Sequence, residues 1–215
     1  MWYIQPVGDE NVEPALRDVY DQDIEKDGYV WNTSRVWSHR PEMINLWMPL
    51  MKSVRSHLRL RTYELATIAA AHAIGCVYCM LAHGAVLRKN GFTARQVISI
   101  LEDYHNAGLS PEEVHLMDYA SKISRDSSSI TQADIDILRQ DGLNEQQITD
   151  IALAAVLRNF ISRFFDALGA GPDLELIEKE PELWNYLKDW GKETVHRPSE
   201  SMKKQRSSVA SVPKS

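Results

Sequence analysis

The 215-residue sequence has only two cysteines, no long apolar run and no excess of basic residues, and each shortage excludes a class of protein. Two cysteines three positions apart cannot connect distant parts of a fold, so a disulfide-stabilised scaffold is excluded. No apolar run approaches the roughly 20 residues that cross a bilayer. Thirty acidic and 24 basic residues give a net charge of −6. This balance argues against a nucleic-acid binder, because neutralising phosphates requires clustered Lys and Arg.

The composition and the two ends of the sequence indicate a simple organisation. The first residues, MWYIQPVGDENVEP, lack the basic-then-apolar layout of a secretory signal, so we expect a cytoplasmic protein. With 44% hydrophobic and 25% charged residues, the chain has enough apolar side chains for one core. We expect a single domain over 1–196, with an aromatic-rich extension (1–55) and a helical core (56–172). The basic, Ser-rich segment 197–215 is expected to be a solvated tail.

Three segments, at 91–97, 108–114 and 142–148, share a pattern that ends one helix and begins the next. Each begins with Gly, which can adopt the left-handed conformation that ends a helix. Thr, Ser or Asn follows as an N-cap, and Gln or Glu three residues later completes a capping box. Alternating strand patterns are absent from the sequence, so we predict an all-α fold. Further helices are predicted at 62–74, 76–89 and 148–168, and shorter ones at 12–22, 41–55, 131–140 and 180–190.

The chemistry of the sequence is concentrated at Cys76-Val77-Tyr78-Cys79 and the residues around it. On a helix, residues three and four apart share a face, so Cys76, Cys79 and His83 are predicted to lie along one side. A break at Gly75 would put Cys76 near a helix N-terminus, where free N–H groups favour a thiolate. His83 can then exchange a proton with Cys79. This arrangement suits a dithiol in which one sulfur attacks the substrate and the neighbouring sulfur then forms a disulfide with it.

Glu64 is the next ionisable residue upstream of the cysteines, in an otherwise apolar stretch. In one straight helix it would lie about 22 Å from Cys79, so only a bend near Gly75 would bring the two together. A carboxyl group in apolar surroundings has a raised pKa, which suits a general base near neutrality. Spacing alone favours a surface or first-turn position for Glu64.

The string Glu64-x11-Cys76-x2-Cys79-x3-His83 resembles the active-site signature of the alkylhydroperoxidase D-like family, within the carboxymuconolactone decarboxylase superfamily. The resemblance covers 61–91 and continues more loosely through LSPEEVHLMDYASKISRD and QQITDIALAAVLRNFISRFFDALG. It implies an alkylhydroperoxidase D-like helical bundle that forms homo-oligomers, most commonly trimers or hexamers. It also implies that Cys79 is the peroxidatic cysteine and that Cys76 resolves and donates a proton. Glu64 and His83 would belong to the proton relay.

The resemblance therefore predicts a thiol-dependent peroxidase or disulfide oxidoreductase that reduces hydroperoxides through the cysteine pair. No cofactor and no metal are expected, and the implied reductant is a thioredoxin-like or lipoyl-bearing protein. One residue departs from the pattern, because Tyr78 stands where the best-known members have a second histidine. Its phenol, with a reference pKa near 10, is a poorer proton shuttle than imidazole. His72 is the candidate to compensate, although such a histidine is more often a core residue.

Three other hypotheses remain open from the residues. A zinc site would use both cysteines and His83, with a fourth ligand from His39, His57 or His72, but no second ligand pair is present. A non-redox, decarboxylase-like enzyme is possible within the same superfamily, although that branch generally lacks the cysteine pair. A non-catalytic helical oligomer would keep its cysteines as small buried residues.

The first 50 positions hold a surplus of large apolar residues: Trp2, Tyr3, Trp31, Val36, Trp37, Met43, Ile44, Leu46, Trp47, Met48 and Leu50. The helices between 60 and 169 have their own supply of Ala, Leu and Ile. The extra segment must therefore cover that core or dock on a neighbouring subunit, since large exposed apolar patches are rare on monomers. We expect a homo-oligomer with the active-site helices at or near subunit contacts. In the long apolar helix, Asn159 and Arg163 share a face and are interpreted as an internally bonded pair.

Overall fold

The computed structural model describes residues 2–190, so the predicted tail at 197–215 lies outside the described residues. Within 2–190 the regular structure is helical throughout, which confirms the all-α prediction. No helix in this part of the chain is long and apolar enough to cross a membrane. The α-helices are α1 (Pro14–Asp27), α2 (Asn32–Arg35), α3 (Ile44–His57), α4 (Leu60–Ala73), α5 (Val77–Lys89), α6 (Ala94–Asp103), α7 (Pro111–Asp126), α8 (Gln132–Gln140), α9 (Glu145–Leu168), α10 (Leu174–Lys179) and α11 (Pro181–Leu187).

A helix begins at each of the three repeated capping segments, as the sequence predicts. Thr93, Ser110 and Asn144 are the N-caps of α6, α7 and α9, and each forms both hydrogen bonds of a capping box. Two of the shorter helices, predicted to start at 12 and 180, start at Pro14 and Pro181 instead, and each has this proline in its first position. Proline suits this position, since its missing N–H group would have no partner within the helix.

Helix α4 forms the centre of the fold and packs against α5, α7 and α9. Every residue from Tyr63 to Ala71 is buried, and alanine is the most frequent residue in this stretch. Small side chains let the neighbouring helices approach closely from several directions, so polar groups on α4 are removed from solvent. Helix α11 packs against α5 and α6.

The aromatic-rich N-terminal segment lies against α9 of the same chain. Trp37 is buried, and its ring centroid lies 5.1 Å from that of Phe164 and 5.9 Å from that of Trp47. The same segment also reaches the C-terminal part of the chain, because the Asn32 backbone N–H donates to the Asp173 carboxylate over 2.7 Å. This segment therefore covers part of the core, as one of the two sequence alternatives required.

Candidate functional site

The chain reverses direction between α4 and α5 at Gly75, as the sequence predicts. Gly75 has a φ of +75°, a left-handed conformation that side chains disfavour. The next residue, Cys76, is the N-cap of α5, and its backbone N–H donates to the Ala71 carbonyl over 3.0 Å. This turn places α4 and α5 side by side, so residues far apart along the chain become neighbours.

Both cysteine side chains are buried free thiols in this turn and the first turn of α5. Cys79 is 2% exposed, and its sulfur is hydrogen-bonded by the Cys76 side chain. Two further donors come from α9: the Ser162 Oγ lies 3.0 Å and the Arg158 Nη1 lies 3.6 Å from the Cys79 Sγ. The Cys79 sulfur therefore sits among three hydrogen-bond donors, one of which carries a positive charge.

These surroundings give the two thiols opposite protonation behaviour. Burial by itself raises the pKa of Cys79, but the Cys76 hydrogen bond, the Arg158 charge and the Ser162 hydrogen bond together lower it to about 5. The hydrogen bond to Cys79 and burial raise the pKa of Cys76 well above its usual range. At neutral pH the pair therefore combines a Cys79 thiolate with a Cys76 thiol, which is the division between attacking and resolving sulfur that a dithiol needs.

Arg158 is a buried cation, only 7% exposed, and it lies against this thiolate. Burial opposes its positive charge, but the negative Cys79 sulfur and Tyr63 more than offset this, so the pKa of Arg158 is raised. A buried charge is costly unless an opposite charge accompanies it. Arg158 and the thiolate therefore stabilise each other.

Glu64 is buried, and its Oε2 lies 2.6 Å from the Nδ1 of His83. The same nitrogen is 3.2 Å from the Thr67 Oγ1, whose hydroxyl donates to the Tyr63 carbonyl over 2.8 Å. With a carboxylate as acceptor, Nδ1 carries a proton, and Nε2 is the ring nitrogen that can exchange a proton with another group. The expectation from spacing, a surface or first-turn position for Glu64, is wrong because the turn at Gly75 folds α4 against α5.

A cavity of about 920 Å³ adjoins these groups beneath α3. Glu64, His83 and Arg158 all face it, and neither cysteine is among its lining residues. Arg158 contacts both the cavity and the Cys79 sulfur. The remaining lining residues come from α3, α4 and α5: Met48, Pro49, Met51, Lys52, Arg55, Ser56, Tyr63 and Val86.

Tyr78, between the cysteines, is engaged in structural contacts. Its hydroxyl donates to the Asp173 carboxylate and accepts a hydrogen bond from the Thr33 N–H over 3.2 Å. Its ring stacks on Phe165 with centroids 5.3 Å apart. Burial and the negative charge of Asp173 raise the pKa of Tyr78 well above its usual range. This phenol therefore holds its proton and connects α5 to the segments that contain Thr33 and Asp173.

The other histidine that the sequence offered lies away from this site. The ring of His72 packs against Trp190 with centroids 5.0 Å apart, and it is not among the residues that line the cavity. Burial lowers the pKa of His72. Among residues 2–190 the structure shows no group of three or more His, Cys, Asp or Glu side chains that could hold a metal ion.

Sequence reasoning missed Arg158 and Ser162, which lie one residue before the pair that it selected on α9. Asn159 and Arg163 do not bond each other, and within the described residues the buried Asn159 Oδ1 has no hydrogen-bond partner. Arg158 and Ser162 are also four residues apart and share a face. That spacing was a usable signal, but choosing between the two pairs required knowing which face of α9 meets α5.

The fold and the site define an all-helical protein with a buried Cys-x-x-Cys pair, an arginine against the second sulfur, and a Glu–His pair facing an adjoining cavity. Residues 41–122 match the model of the carboxymuconolactone decarboxylase family. The matching segment contains Glu64, Cys76, Cys79 and His83. The family predicted from the four-residue string is thereby confirmed.

Solved structures show the same alkylhydroperoxidase D-like fold. A peroxidase-related protein from Ralstonia eutropha JMP134, described as an alkylhydroperoxidase AhpD core, has a TM-score of 0.75 and 22% identity, over 81% of this chain and 94% of that chain. A peroxidase-related protein from Silicibacter sp. TM1040 has a TM-score of 0.71 and 25% identity, over 77% of this chain and 88% of that chain. The debrominase Bmp8, as a Cys-to-Ala variant in complex with 2,3,4-tribromopyrrole, has a TM-score of 0.69 and 15% identity, over 84% of this chain and 97% of that chain. Among curated proteins, none matches the chain.

Proposed function

We propose that the protein is a thiol-dependent peroxidase that reduces hydroperoxides through Cys79 and Cys76. The observation that supports this most directly is the set of donors on the Cys79 sulfur, with the Ser162 Oγ at 3.0 Å and the Arg158 Nη1 at 3.6 Å, which favours a thiolate beside the Cys76 thiol. A thiolate is the reactive form of cysteine, and it attacks a peroxide oxygen to form a sulfenic acid. The neighbouring thiol that retains its proton is positioned to complete the cycle.

The proposed first step is attack of the Cys79 thiolate on the terminal oxygen of a hydroperoxide. A sulfur–oxygen bond forms, the O–O bond breaks, and the leaving alkoxide takes the electron pair. His83, held by Glu64 through Nδ1, faces the cavity in which the alkoxide would form. An imidazolium at this position supplies the proton that converts the alkoxide into an alcohol.

In the second step the Cys76 sulfur attacks the Cys79 sulfenic acid. A disulfide forms and the sulfur–oxygen bond breaks. The hydroxyl group leaves as water with the proton that the Cys76 thiol gives up. An external dithiol then returns two electrons and two protons to the pair. We propose a thioredoxin-like or lipoyl-bearing protein as this reductant, and a homo-oligomer as the working assembly.

Peroxide consumption by purified protein with a dithiol reductant tests the proposal. We expect Cys79→Ser to abolish turnover and Cys76→Ser to consume about one peroxide per chain before stopping. Glu64→Gln is expected to slow turnover by about ten- to a hundredfold, because His83 loses the carboxylate that orients it. Glu112→Gln, a change of the same type at an exposed position, serves as the control. Consumption by Cys79→Ser at the wild-type rate would refute the proposal.

A further inference from the structure

The cavity beside the cysteines is far larger than hydrogen peroxide requires. Its volume of about 920 Å³ compares with the roughly 30 Å³ that one water molecule occupies in the liquid. Pockets of about 300–1,000 Å³ are typical of sites for organic ligands. Methionine and valine side chains, including Met48, Met51 and Val86, form much of the lining. A ligand that fills this space has an apolar body.

The charges around the cavity are mostly positive, although the chain as a whole carries −6. Lys52 and Arg55 on α3 and Arg158 on α9 line it, and Glu64 is the only carboxylate among its lining residues. Glu64 is already bonded to His83. None of the three cations forms an ion pair with a carboxylate among residues 2–190. Arg158 is compensated by the Cys79 thiolate, and the Arg55 guanidinium lies 5.9 Å from the centroid of the Tyr63 ring. Lys52 and Arg55 therefore have no carboxylate partner in the described part of the chain and can attract an anion that enters the cavity.

Arg158 adds an independent sign of a ligand. Its side chain is more than nine-tenths buried, and its Nε is a buried donor with no hydrogen-bond partner in the described structure. The Nη1 of the same group reaches the Cys79 sulfur. An unpaired donor is costly in a protein interior. A ligand that accepts a hydrogen bond from the Arg158 Nε, next to the Cys79 sulfur, is therefore bound more tightly.

We propose that the cavity binds an organic hydroperoxide that carries a negative charge, such as a carboxylate. This inference rests on the proposed function and names its substrate class. The peroxide end accepts a hydrogen bond from the Arg158 Nε beside Cys79, and the apolar body contacts the methionines of α3. The anionic group lies near Lys52 and Arg55, which are exposed at the cavity wall.

The first test uses two alkylating reagents of similar size, iodoacetate and iodoacetamide, with mass spectrometry to identify the alkylated cysteine. We expect the ratio of their rate constants at Cys79 to fall about tenfold in Lys52→Gln/Arg55→Gln, because two attractive surface charges are removed. Lys89→Gln/Arg95→Gln removes the same net charge from exposed positions outside the cavity and is expected to keep the wild-type ratio. The difference between the two variants should shrink with added salt.

The second test compares kcat/KM for an aryl hydroperoxide that bears a ring carboxylate with kcat/KM for its methyl ester. We expect the wild type to prefer the acid by about tenfold and the Lys52→Gln/Arg55→Gln variant to treat both alike. Equal rates for acid and ester in the wild type, with an alkylation ratio insensitive to Lys52 and Arg55, would overturn the inference and leave the peroxidase proposal intact. Consumption of hydrogen peroxide but of neither aryl compound would also overturn the inference and leave the peroxidase proposal intact. Consumption of none of the three peroxides would refute the peroxidase proposal.

Discussion

Arg158 places a positive charge against one sulfur atom, and its removal should change the ionisation of Cys79. We expect Arg158→Gln to raise the apparent pKa of Cys79 from about 5 by at least about one pH unit, which corresponds to about 1.4 kcal/mol. Ser162→Ala, which removes a neutral donor, should raise it less. The measurement is the rate of alkylation by iodoacetamide as a function of pH. Arg163→Gln, an exposed arginine on the same helix, is the matched control.

The same pKa predicts how the stability of the reduced protein depends on pH. The folded-state pKa of Cys79 lies below the roughly 8.5 of an unfolded cysteine. The thiolate therefore contributes stability that is complete above pH 8.5 and is lost as the pH falls through about 5. In Arg158→Gln this dependence should be smaller. An unchanged alkylation profile in Arg158→Gln would contradict the role assigned to the guanidinium.

Tyr78 contributes to stability through its hydroxyl, which donates to a buried carboxylate. Asp173 is 3% exposed, so Tyr78→Phe leaves it with one donor fewer and is expected to cost about 1–3 kcal/mol in the free energy of unfolding. Urea denaturation of the reduced protein measures this loss. Tyr104→Phe removes a similar bond to Asp118, whose side chain is 46% exposed, and should cost less. Equal losses in the two variants would show that burial of Asp173 adds nothing.

At the level of helices, the sequence predicted the parts of the fold that local chemistry determines. The N-caps at Thr93, Ser110 and Asn144 and the break at Gly75 need only neighbouring residues. The contacts of Arg158 with Cys79 span 79 residues along the chain, and those of Tyr78 with Asp173 span 95. Such contacts depend on how helices pack, which no local pattern in one sequence specifies. Glu64 belongs to the same class, and only the family resemblance placed it in the site.

The connection between α4 and α5 depends on one glycine. A Cβ at residue 75 would meet no atom within 4 Å, but φ is +75° there, so Gly75→Ala is expected to cost about 1–2 kcal/mol through backbone strain alone. Gly171→Ala, equally free of contacts and without a positive φ, should be nearly neutral. Thermal or urea unfolding compares them.

A further comparison separates strain in general from strain at the site. Gly142 has a φ of +87° in a turn before α9, far along the chain from the cysteines. Gly142→Ala should lose stability like Gly75→Ala but keep the wild-type alkylation profile of Cys79, because only the turn at residue 75 positions Cys76 as the N-cap of α5. If both variants alkylated alike, the turn would have no specific role in the site.

At the level of the whole molecule, α3 and α9 leave apolar side chains exposed on one face. Leu46 is 66% exposed and Phe160 is 49% exposed, and Leu50 and Val156 extend the same patch. A shallow groove of about 170 Å³ lies between the two helices. Since such patches are uncommon on monomers, we predict a homo-oligomer that buries this face.

Light scattering after size exclusion measures the assembly directly. We expect a mass that is a multiple of the 24.5 kDa chain, and a shift towards one chain in Leu46→Glu/Phe160→Glu. Leu174→Glu, at a leucine that is 73% exposed on α10, is expected to leave the mass unchanged. A wild-type mass of one chain at micromolar concentration would refute the prediction.

The depth of the two sulfur atoms has a consequence for the source of electrons. Cys76 is fully buried and Cys79 is 2% exposed, so a disulfide between them lies below the molecular surface. Thiol–disulfide exchange requires the incoming sulfur to touch one of the two. We expect a slender arm, such as a lipoyl group, to reach this buried disulfide more readily than the broad face of a globular donor. We therefore predict that the width of an electron donor, and not only its reduction potential, decides whether it can reduce this pair.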